Sequence, residues 1–350
     1  MKKVTFVCLH LGKGGAERVM CILANYFSRN GYDVKMVLLY EDLVEYELSK
    51  DIQIVFLGLH KSKSIIRRVL QLTKLRSALR EDECIIAFIT AAIRDVVIAT
   101  LGQRKRIIVS ERNSPKQDAA HWYQKLIRLF SYCLADICVF QTEEAKSYYP
   151  KRVQNKGVII PNPIRLDIPD RYEGVRSKRI VAAGRLEEQK NFQMLIRSFS
   201  KLTREFSDYD LYIYGKGSLE KQLRELAEQL GVSDKVFFPG FVQNVNELMR
   251  DAAIYVSSSN YEGISNSMNE ALAMGMPAIC TDCPAGGARL MIKDRENGLL
   301  IPVGDEDALY ESMKTVLSDH AFAQKLADNA YKVRDEYSIE KIADQWIRLL

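Results

Sequence analysis

Short apolar runs punctuate the chain, and most are separated by longer stretches with helical spacing. In the first half the runs are Val4–Leu9, Val34–Tyr40, Ile52–Leu57, Cys84–Ile89, Arg106–Val109 and Ile137–Phe140. Runs this short, nearly continuous and rich in Val and Ile, predict strands buried on both faces. Their alternation with helices predicts a parallel sheet with helices on both sides. The segment Val158–Ile164 closes this half, because Pro161 and Pro163 around Asn162 break any regular element. The charged segment Asp167–Lys178 reads as a linker. The pattern then restarts with Arg179–Ala183, Leu211–Tyr214, Ala252–Val256 and Ala278–Thr281, and Asp305–Leu350 is mostly helical. The architecture repeats but the sequence does not. The expected fold is α/β, with two doubly wound parallel-sheet domains at residues 1–164 and 165–350.

Ligands of such sheets sit at the carboxyl ends of the strands, so the residues just after each run carry the candidate chemistry. After Ala252–Val256 comes Ser257-Ser258-Ser259-Asn260-Tyr261-Glu262-Gly263-Ile264-Ser265, then a helix from about Ser265 to Met274, stopped by Gly275 and Pro277. The backbone N–H groups of Gly263, Ile264 and Ser265 lie at that helix start, where free donors and the dipole favour an anion. Glu262 and Glu270 stand eight positions apart, one in the loop and one on the helix. A carboxylate beside an anion site suits a ligand with both phosphate and hydroxyl groups. After Arg179–Ala183 comes Gly184-Arg185-Leu186-Glu187-Glu188-Gln189-Lys190-Asn191. Arg185 and Lys190 flank this strand-to-helix loop and suit a diphosphate, Arg with its fork and Lys as a point charge. Gly12, Gly14 and Gly15 follow the first strand and open a helix, an arrangement that lets backbone approach an anion. It is not G-x-G-x-x-G, so a nicotinamide cofactor is not expected.

These motifs together resemble glycosyltransferase family 4, a retaining family with the GT-B fold. Glu262 and Glu270 match its E-x7-E motif, and Gly184-Arg185-Leu186 through Lys190-Asn191 matches its G-R-L-x-x-x-K-N motif. Ser110-Glu111-Arg112-Asn113 resembles a segment of members that add N-acetylgalactosamine to lipid-linked glycans. The resemblance implies two Rossmann-like domains facing a cleft, an acceptor-binding first domain and a nucleotide-sugar-binding second one. It also implies a last helix, about 331–350, crossing back to the first domain, where Trp346 and Leu349 are the expected anchors. It assigns Arg185 and Lys190 to the donor diphosphate, Glu270 to the ribose and Glu262 to the reacting sugar. Gly15, Gly184, Gly215, Gly263, Ile264 and Ser265 would border the donor, and Gly14, Glu111 and Arg112 the acceptor. The implied reaction is retaining transfer from a UDP-sugar, such as UDP-N-acetylgalactosamine, to a lipid-diphosphate-linked acceptor, with no metal and no cofactor. Many members carry a catalytic His in the first domain. His121 is the nearest residue here, and it reads rather as a helix-start or core histidine than as that catalytic group. Two rival readings stay open: a UDP-sugar 2-epimerase of the same fold, and a non-catalytic nucleotide-sugar-binding protein.

Composition narrows the setting. With 350 residues, 47% of them hydrophobic, the chain can bury two cores, and no apolar run reaches the ~20 residues that span a bilayer. The seven cysteines are scattered, and Cys280–Cys283 is a lone C-x-x-C without a second ligand pair, so reduced thiols are expected. Residues 1–170 carry 27 Lys and Arg against 18 Asp and Glu, and the remainder 23 against 27. A basic first half argues for an acidic partner, and no nucleic-acid-binding module matches. The stretch Lys61–Arg80 reads as an amphipathic helix with Ile65, Val69 and Leu72 on one face and Lys63, Arg67 and Lys74 on the other. It is either a solvated helix packed on the sheet or a cationic track for a lipid diphosphate or an anionic membrane surface. The expected location is cytoplasmic, peripheral on the inner membrane face.

Overall fold

A computed structural model describes residues 2–12, 14–40, 42–59, 64–112 and 122–350. The chain runs β1 (Lys3–Cys8), α1 (Gly15–Arg29), β2 (Asp33–Leu38), β3 (Gln53–Phe56), α2 (Ile65–Ala78), β4 (Cys84–Phe88) and α3 (Thr90–Ala99). It continues with β5 (Arg106–Ser110), α4 (Trp122–Leu134), β6 (Ile137–Phe140), α5 (Glu143–Ser147), α6 (Lys151–Gln154) and β7 (Gly157–Ile159). Then follow β8 (Ser177–Ala183), a 3-10 turn (Glu188–Lys190), α7 (Phe192–Leu202), β9 (Asp210–Tyr214), α8 (Glu220–Gln229), β10 (Val236–Gly240) and α9 (Val245–Met249). Last come β11 (Ala252–Ser257), α10 (Asn266–Ala273), β12 (Ala278–Thr281), α11 (Gly287–Met291), β13 (Leu299–Ile301), α12 (Glu306–Ser318), α13 (His320–Tyr331), α14 (Val333–Glu336) and α15 (Ile339–Ile347). Two compact units result: residues 1–163 with 339–350, and residues 164–338.

The first unit holds a seven-stranded sheet in the order β3-β2-β1-β4-β5-β6-β7, parallel throughout. All five residues of β4 are buried, as a strand covered on both faces requires. The sheet direction of growth reverses between β1 and β4. Helix α15 belongs to this unit and packs on α1. Its Trp346 is fully buried, 5.6 Å from the Phe88 ring. The second unit holds a six-stranded parallel sheet, β10-β9-β8-β11-β12-β13, which reverses between β8 and β11. The edge strands β7 and β13 have three residues each, too few for an alternating or continuous pattern to register in the sequence. The opposite edge strand of the second sheet, β10, contains Pro239, which an edge tolerates because the missing N–H has no ladder partner.

Helix α2 buries only part of the expected face. Leu72 packs on the core with Leu75 and Leu79, whereas Ile65, at the start of the helix, is 81% exposed and Val69 is also exposed. Asp95 of α3 is a buried carboxylate that requires compensation. Arg68 turns in to form an ion pair with it, and Arg94 Nε lies at 2.8 Å. A second buried carboxylate, Asp82, is met by Lys35 Nζ at 2.5 Å and Lys3 Nζ at 3.3 Å. Part of the first unit's positive charge is therefore spent inside the fold.

Candidate functional site

In a doubly wound sheet the loops after the two strands flanking the reversal run apart and leave a crevice. In the second unit those strands are β8 and β11, so the crevice falls between the loop 184–191 and the loop 258–265. Both stretches singled out from the sequence lie there. They are bound to each other by a dense set of hydrogen bonds. Ser258 Oγ donates to the Lys190 carbonyl at 2.8 Å, and the Asn260 amide donates to the Gln189 carbonyl at 2.8 Å. Asn260 Nδ2 donates to the Glu188 carbonyl at 2.8 Å, Asn191 Nδ2 to Asn260 Oδ1 at 3.0 Å, and Gln189 Nε2 to the Tyr261 carbonyl at 3.0 Å. Asn191 adopts φ of +45° to end the 3-10 turn, and its side chain accepts from the Met194 amide to start α7.

The consequence is a preset ion pair. Lys190 Nζ lies 2.5 Å from Glu262 Oε1, and Ser259 Oγ donates to the same oxygen at 3.2 Å. Both side chains are mostly but not fully covered, so the ammonium keeps donors for a further acceptor. Arg185 is exposed at the same loop, its Nη2 donating to Gln189 Oε1 at 3.2 Å. Behind it Glu187 accepts from the Ser218 amide at 2.9 Å and from Ser218 Oγ at 2.8 Å, which holds its carboxyl below the usual range.

The start of α10 is fastened to the end of β8. Ser267 Oγ donates to the Ala183 carbonyl at 3.1 Å, accepts from Tyr255 OH at 2.9 Å, and lies 3.1 Å from Ser265 Oγ. Ser265 precedes the helix in an extended conformation without capping it through its hydroxyl. Ile264 buries its side chain in the core of the second unit, so only its backbone can serve a ligand. Glu270, on α10, is buried. Two glycines permit close backbone approach. A Cβ on Gly215, at φ of +140°, would lie 1.8 Å from the Gly184 carbonyl oxygen, and one on Gly287 would lie 1.7 Å from the Gly263 carbonyl oxygen. A small recess beside Glu262 is lined by Gly263, Ser265, Thr281 and Cys283 among others. Thr281 Oγ1 and Cys283 Sγ both donate to the Ser259 carbonyl, at 2.6 and 3.2 Å. Burial pushes the Cys283 thiol up to about 11 and the Cys280 thiol higher, so both are protonated at neutral pH.

Sequence reasoning singled out Arg185, Lys190, Glu262, Gly263, Ile264, Ser265 and Glu270, which the second unit gathers on adjoining loops and one helix. It passed over Ser259, Asn260 and Gln189, which carry no charge, and Gly287, visible only as half of Gly286-Gly287. Two Asp-x-Asp triplets, Asp208-Tyr209-Asp210 and Asp305-Glu306-Asp307, also occur in the chain. Asp208 pairs with Lys178, Asp305 caps α12 through the Ala308 amide and Asp307 pairs with Lys201. Among the described residues no group of three or more His, Cys, Asp or Glu side chains is arranged to hold a metal ion.

The first-unit candidates have other surroundings. Gly14 precedes α1, its carbonyl accepting from Tyr46 OH at 3.0 Å, and Gly15 is the first residue of that helix. Glu111 is buried, with Tyr149 OH donating to it at 2.7 Å and Tyr132 OH at 3.3 Å. Arg112 stacks between Phe88 and Trp346, 4.6 and 5.3 Å from the ring centroids, and donates to Asn162 Oδ1 at 2.8 Å. Desolvation lowers its pKa to about 9. Lys74 donates to the Leu57 carbonyl, while Arg67 is exposed. Lys63 and His121 lie outside the described residues. Ile89, at the reversal of the first sheet, has φ of +69°, a strained value for a β-branched residue.

Residues 169–333 match the family described as Glycosyl transferases group 1. The whole chain is 26% identical to the GalNAc-alpha-(1->4)-GalNAc-alpha-(1->3)-diNAcBac-PP-undecaprenol alpha-1,4-N-acetyl-D-galactosaminyltransferase of Campylobacter jejuni, covering 98% of it. It is 28% identical, over all of both chains, to the N-acetylgalactosamine-N,N'-diacetylbacillosaminyl-diphospho-undecaprenol 4-alpha-N-acetylgalactosaminyltransferase of the same organism. Among solved structures, sucrose-phosphate synthase from Thermosynechococcus elongatus superposes with a TM-score of 0.85 at 17% identity, over 100% of this chain and 98% of that one. Anabaena HepE in complex with UDP-glucose does so with 0.84 at 15% identity, over 99% of both chains.

Proposed function

We propose that this chain, whose residues 169–333 match the Glycosyl transferases group 1 family and which has the GT-B fold, is a retaining enzyme moving a hexosamine or hexose from a UDP-sugar to a lipid-diphosphate-linked sugar. The observation that carries this reading is the Lys190–Glu262 ion pair at 2.5 Å, held beside Arg185 and the first turn of α10. The leaving group is a nucleoside diphosphate, whose negative charge grows as the glycosidic bond breaks. Arg185, the remaining donors of Lys190 and the amides of Gly263 and Ser265 would receive that charge. Glu262, oriented by Lys190 and Ser259, would accept from donor-sugar hydroxyls and steady an oxocarbenium-like centre. Glu270 would accept from the ribose hydroxyls. The acceptor hydroxyl would attack from the face the diphosphate leaves, passing its proton to a phosphate oxygen. A uridine nucleotide in the donor is supported by the UDP-glucose complex of a protein of the same fold. N-acetylgalactosamine as the sugar and a polyprenyl-diphosphate acceptor are supported by the names of the two full-length relatives.

The test is incubation with UDP-N-acetylgalactosamine, UDP-N-acetylglucosamine, UDP-glucose or UDP-galactose and a polyprenyl-diphosphate-linked sugar. Products are weighed by mass spectrometry and their anomeric configuration read by NMR. One added sugar with retained configuration is expected. Consumption of the UDP-sugar without acceptor would favour an epimerase, and binding without turnover a non-catalytic protein. Either result overturns the proposal.

A further inference from the structure

Gly14 is not a glycine for the sake of its backbone. It precedes α1 with φ of −87° and ψ of +153°, extended values open to any residue. Ser, Asn and Asp cap such a position best, and no side-chain cap is made here. What the glycine supplies is room. A Cβ on Gly14 would lie 1.9 Å from Glu17 Oε2 and 2.6 Å from Glu17 Cδ. The missing side chain is the slot in which the Glu17 carboxylate lies.

Glu17 is the third residue of α1, where a glutamate ordinarily reaches back to accept from the amide that precedes the helix. That amide, on Gly14, donates to the Gly12 carbonyl at 2.7 Å instead. Glu17 is 8% exposed, and among the described residues its carboxylate has no hydrogen-bond or ion-pair partner. Its charge acts on the buried thiols of Cys8 and Cys21, the latter pushed up to about 12 by burial first and by Glu17 second, and neither thiol is a cation. A covered carboxylate without donors is costly. The loop cannot supply them. The Gly12 amide donates to His10 Nδ1 at 3.0 Å, the Leu11 amide to the Leu43 carbonyl at 2.8 Å, and Tyr46 OH to the Gly14 carbonyl at 3.0 Å.

The same facts exclude a phosphate from this spot. The amides of Leu11, Gly12 and Gly14 are spent, and the positive end of α1 is met by the chain's own carboxylate. The first sheet reverses between β1 and β4, so the loop after β1 borders the crevice where a doubly wound sheet takes its ligand. A carboxylate there suits neutral O–H donors, and sugar hydroxyls are such donors. In the reading above, the second unit takes the diphosphate, the ribose and the sugar of the donor. The substrate left for this crevice is the acceptor.

We propose that Glu17 binds the acceptor, its carboxylate accepting hydrogen bonds from hydroxyls of the terminal acceptor sugar, and that Gly14 leaves the room it needs. This rests on the reading of a sugar acceptor and names the group that holds the sugar rather than its diphosphate.

The experiment uses the full chain, UDP-N-acetylgalactosamine and a polyprenyl-diphosphate-linked sugar. Glu17→Gln keeps the size of the side chain and removes its charge. Gly14→Ala keeps the charge and displaces it, at little cost in stability, because the Cβ meets the far end of a flexible side chain. Each should raise the acceptor KM about tenfold, the difference between a charged and a neutral hydrogen bond, with the donor KM and the urea midpoint unchanged. The double variant should be no worse than Glu17→Gln alone, because both changes remove one interaction. An unchanged acceptor KM in Glu17→Gln overturns the proposal, as does an equal rise in both KM values. A lowered urea midpoint with an unchanged acceptor KM assigns Glu17 to the helix end and overturns it too. A second arm needs no turnover: saturation-transfer NMR of methyl α-N-acetylgalactosaminide with UDP saturating. Its signal should fall severalfold in Glu17→Gln and persist in Glu262→Gln, and the opposite pattern, or no signal with wild type, overturns the proposal. Wild type that binds this glycoside through Glu17 yet transfers no sugar would overturn the transferase reading alone.

Discussion

The two units share one architecture and use the reversal of their sheets differently. In the second unit the loops after β8 and β11 are bound to each other, and Lys190 meets Glu262. In the first unit the loop after β1 is tied instead to the β2–β3 connection. The Leu11 amide donates to the Leu43 carbonyl at 2.8 Å, and Tyr46 OH to the Gly14 carbonyl. Glu111 and Arg112, after β5, are occupied by Tyr132 and Tyr149 and by Phe88 and Trp346. The second unit thus holds a charged constellation preorganised at its crevice, and the first spends its charges on its own core and on the outer faces of α2 and α4. A preorganised group needs no reorganisation when charge develops, which is where electrostatic catalysis gains most.

The sharpest way to break this contrast is Lys190→Ala. Loss of a fixed cation at the diphosphate should lower turnover about 10²- to 10³-fold and weaken UDP binding by about 1.5–3 kcal/mol. Steady-state kinetics and titration calorimetry measure the two effects, and near-wild-type values would remove the preset pair from the mechanism. Backbone closeness is tested next. Gly287→Ala and Gly215→Ala force a Cβ against a carbonyl oxygen and should each cost about 3 kcal/mol in urea unfolding through overpacking and strain. Gly31→Ala, where a Cβ would meet nothing but φ is +82°, should cost about 1 kcal/mol. If all three cost the same, the loop contact is not what fixes the crevice.

A smaller effect separates the two carboxylates. Glu270→Gln should raise the donor KM about tenfold with little change in kcat, whereas Glu262→Gln should lower kcat with little change in KM. The reverse split would exchange their roles. The smallest effect probes the first unit. Lys74→Gln loses the bond to the Leu57 carbonyl and should destabilise by about 1 kcal/mol, while Arg67→Gln should leave the urea midpoint unchanged. Equal midpoints for both variants would mean that Lys74, like Arg67, serves only the surface.

The sequence by itself determined the strand runs, the parallel doubly wound character of both halves and the residue types after β8 and β11. These depend on short-range facts: continuous burial makes a strand nearly all apolar, and an anion site needs glycines, cations and a helix start close together in the chain. The Lys190–Glu262 pair was legible as two motifs and not as a contact, because 72 residues separate them and uncharged hydrogen bonds from Ser258, Asn260, Gln189 and Asn191 bring the loops together. The three-residue edge strands β7 and β13 left no pattern to read. The rotation of α2 and α4 was decided only by tertiary structure. Periodicity groups Ile65, Val69 and Leu72 on one face, but only Leu72 packs on the core. Arg68 goes in because Asp95 on a neighbouring helix is a buried carboxylate that needs a cation, and Arg128 goes in beside two tyrosine rings. Those partners are distant in the chain, so no local pattern marks either arginine as turned inward.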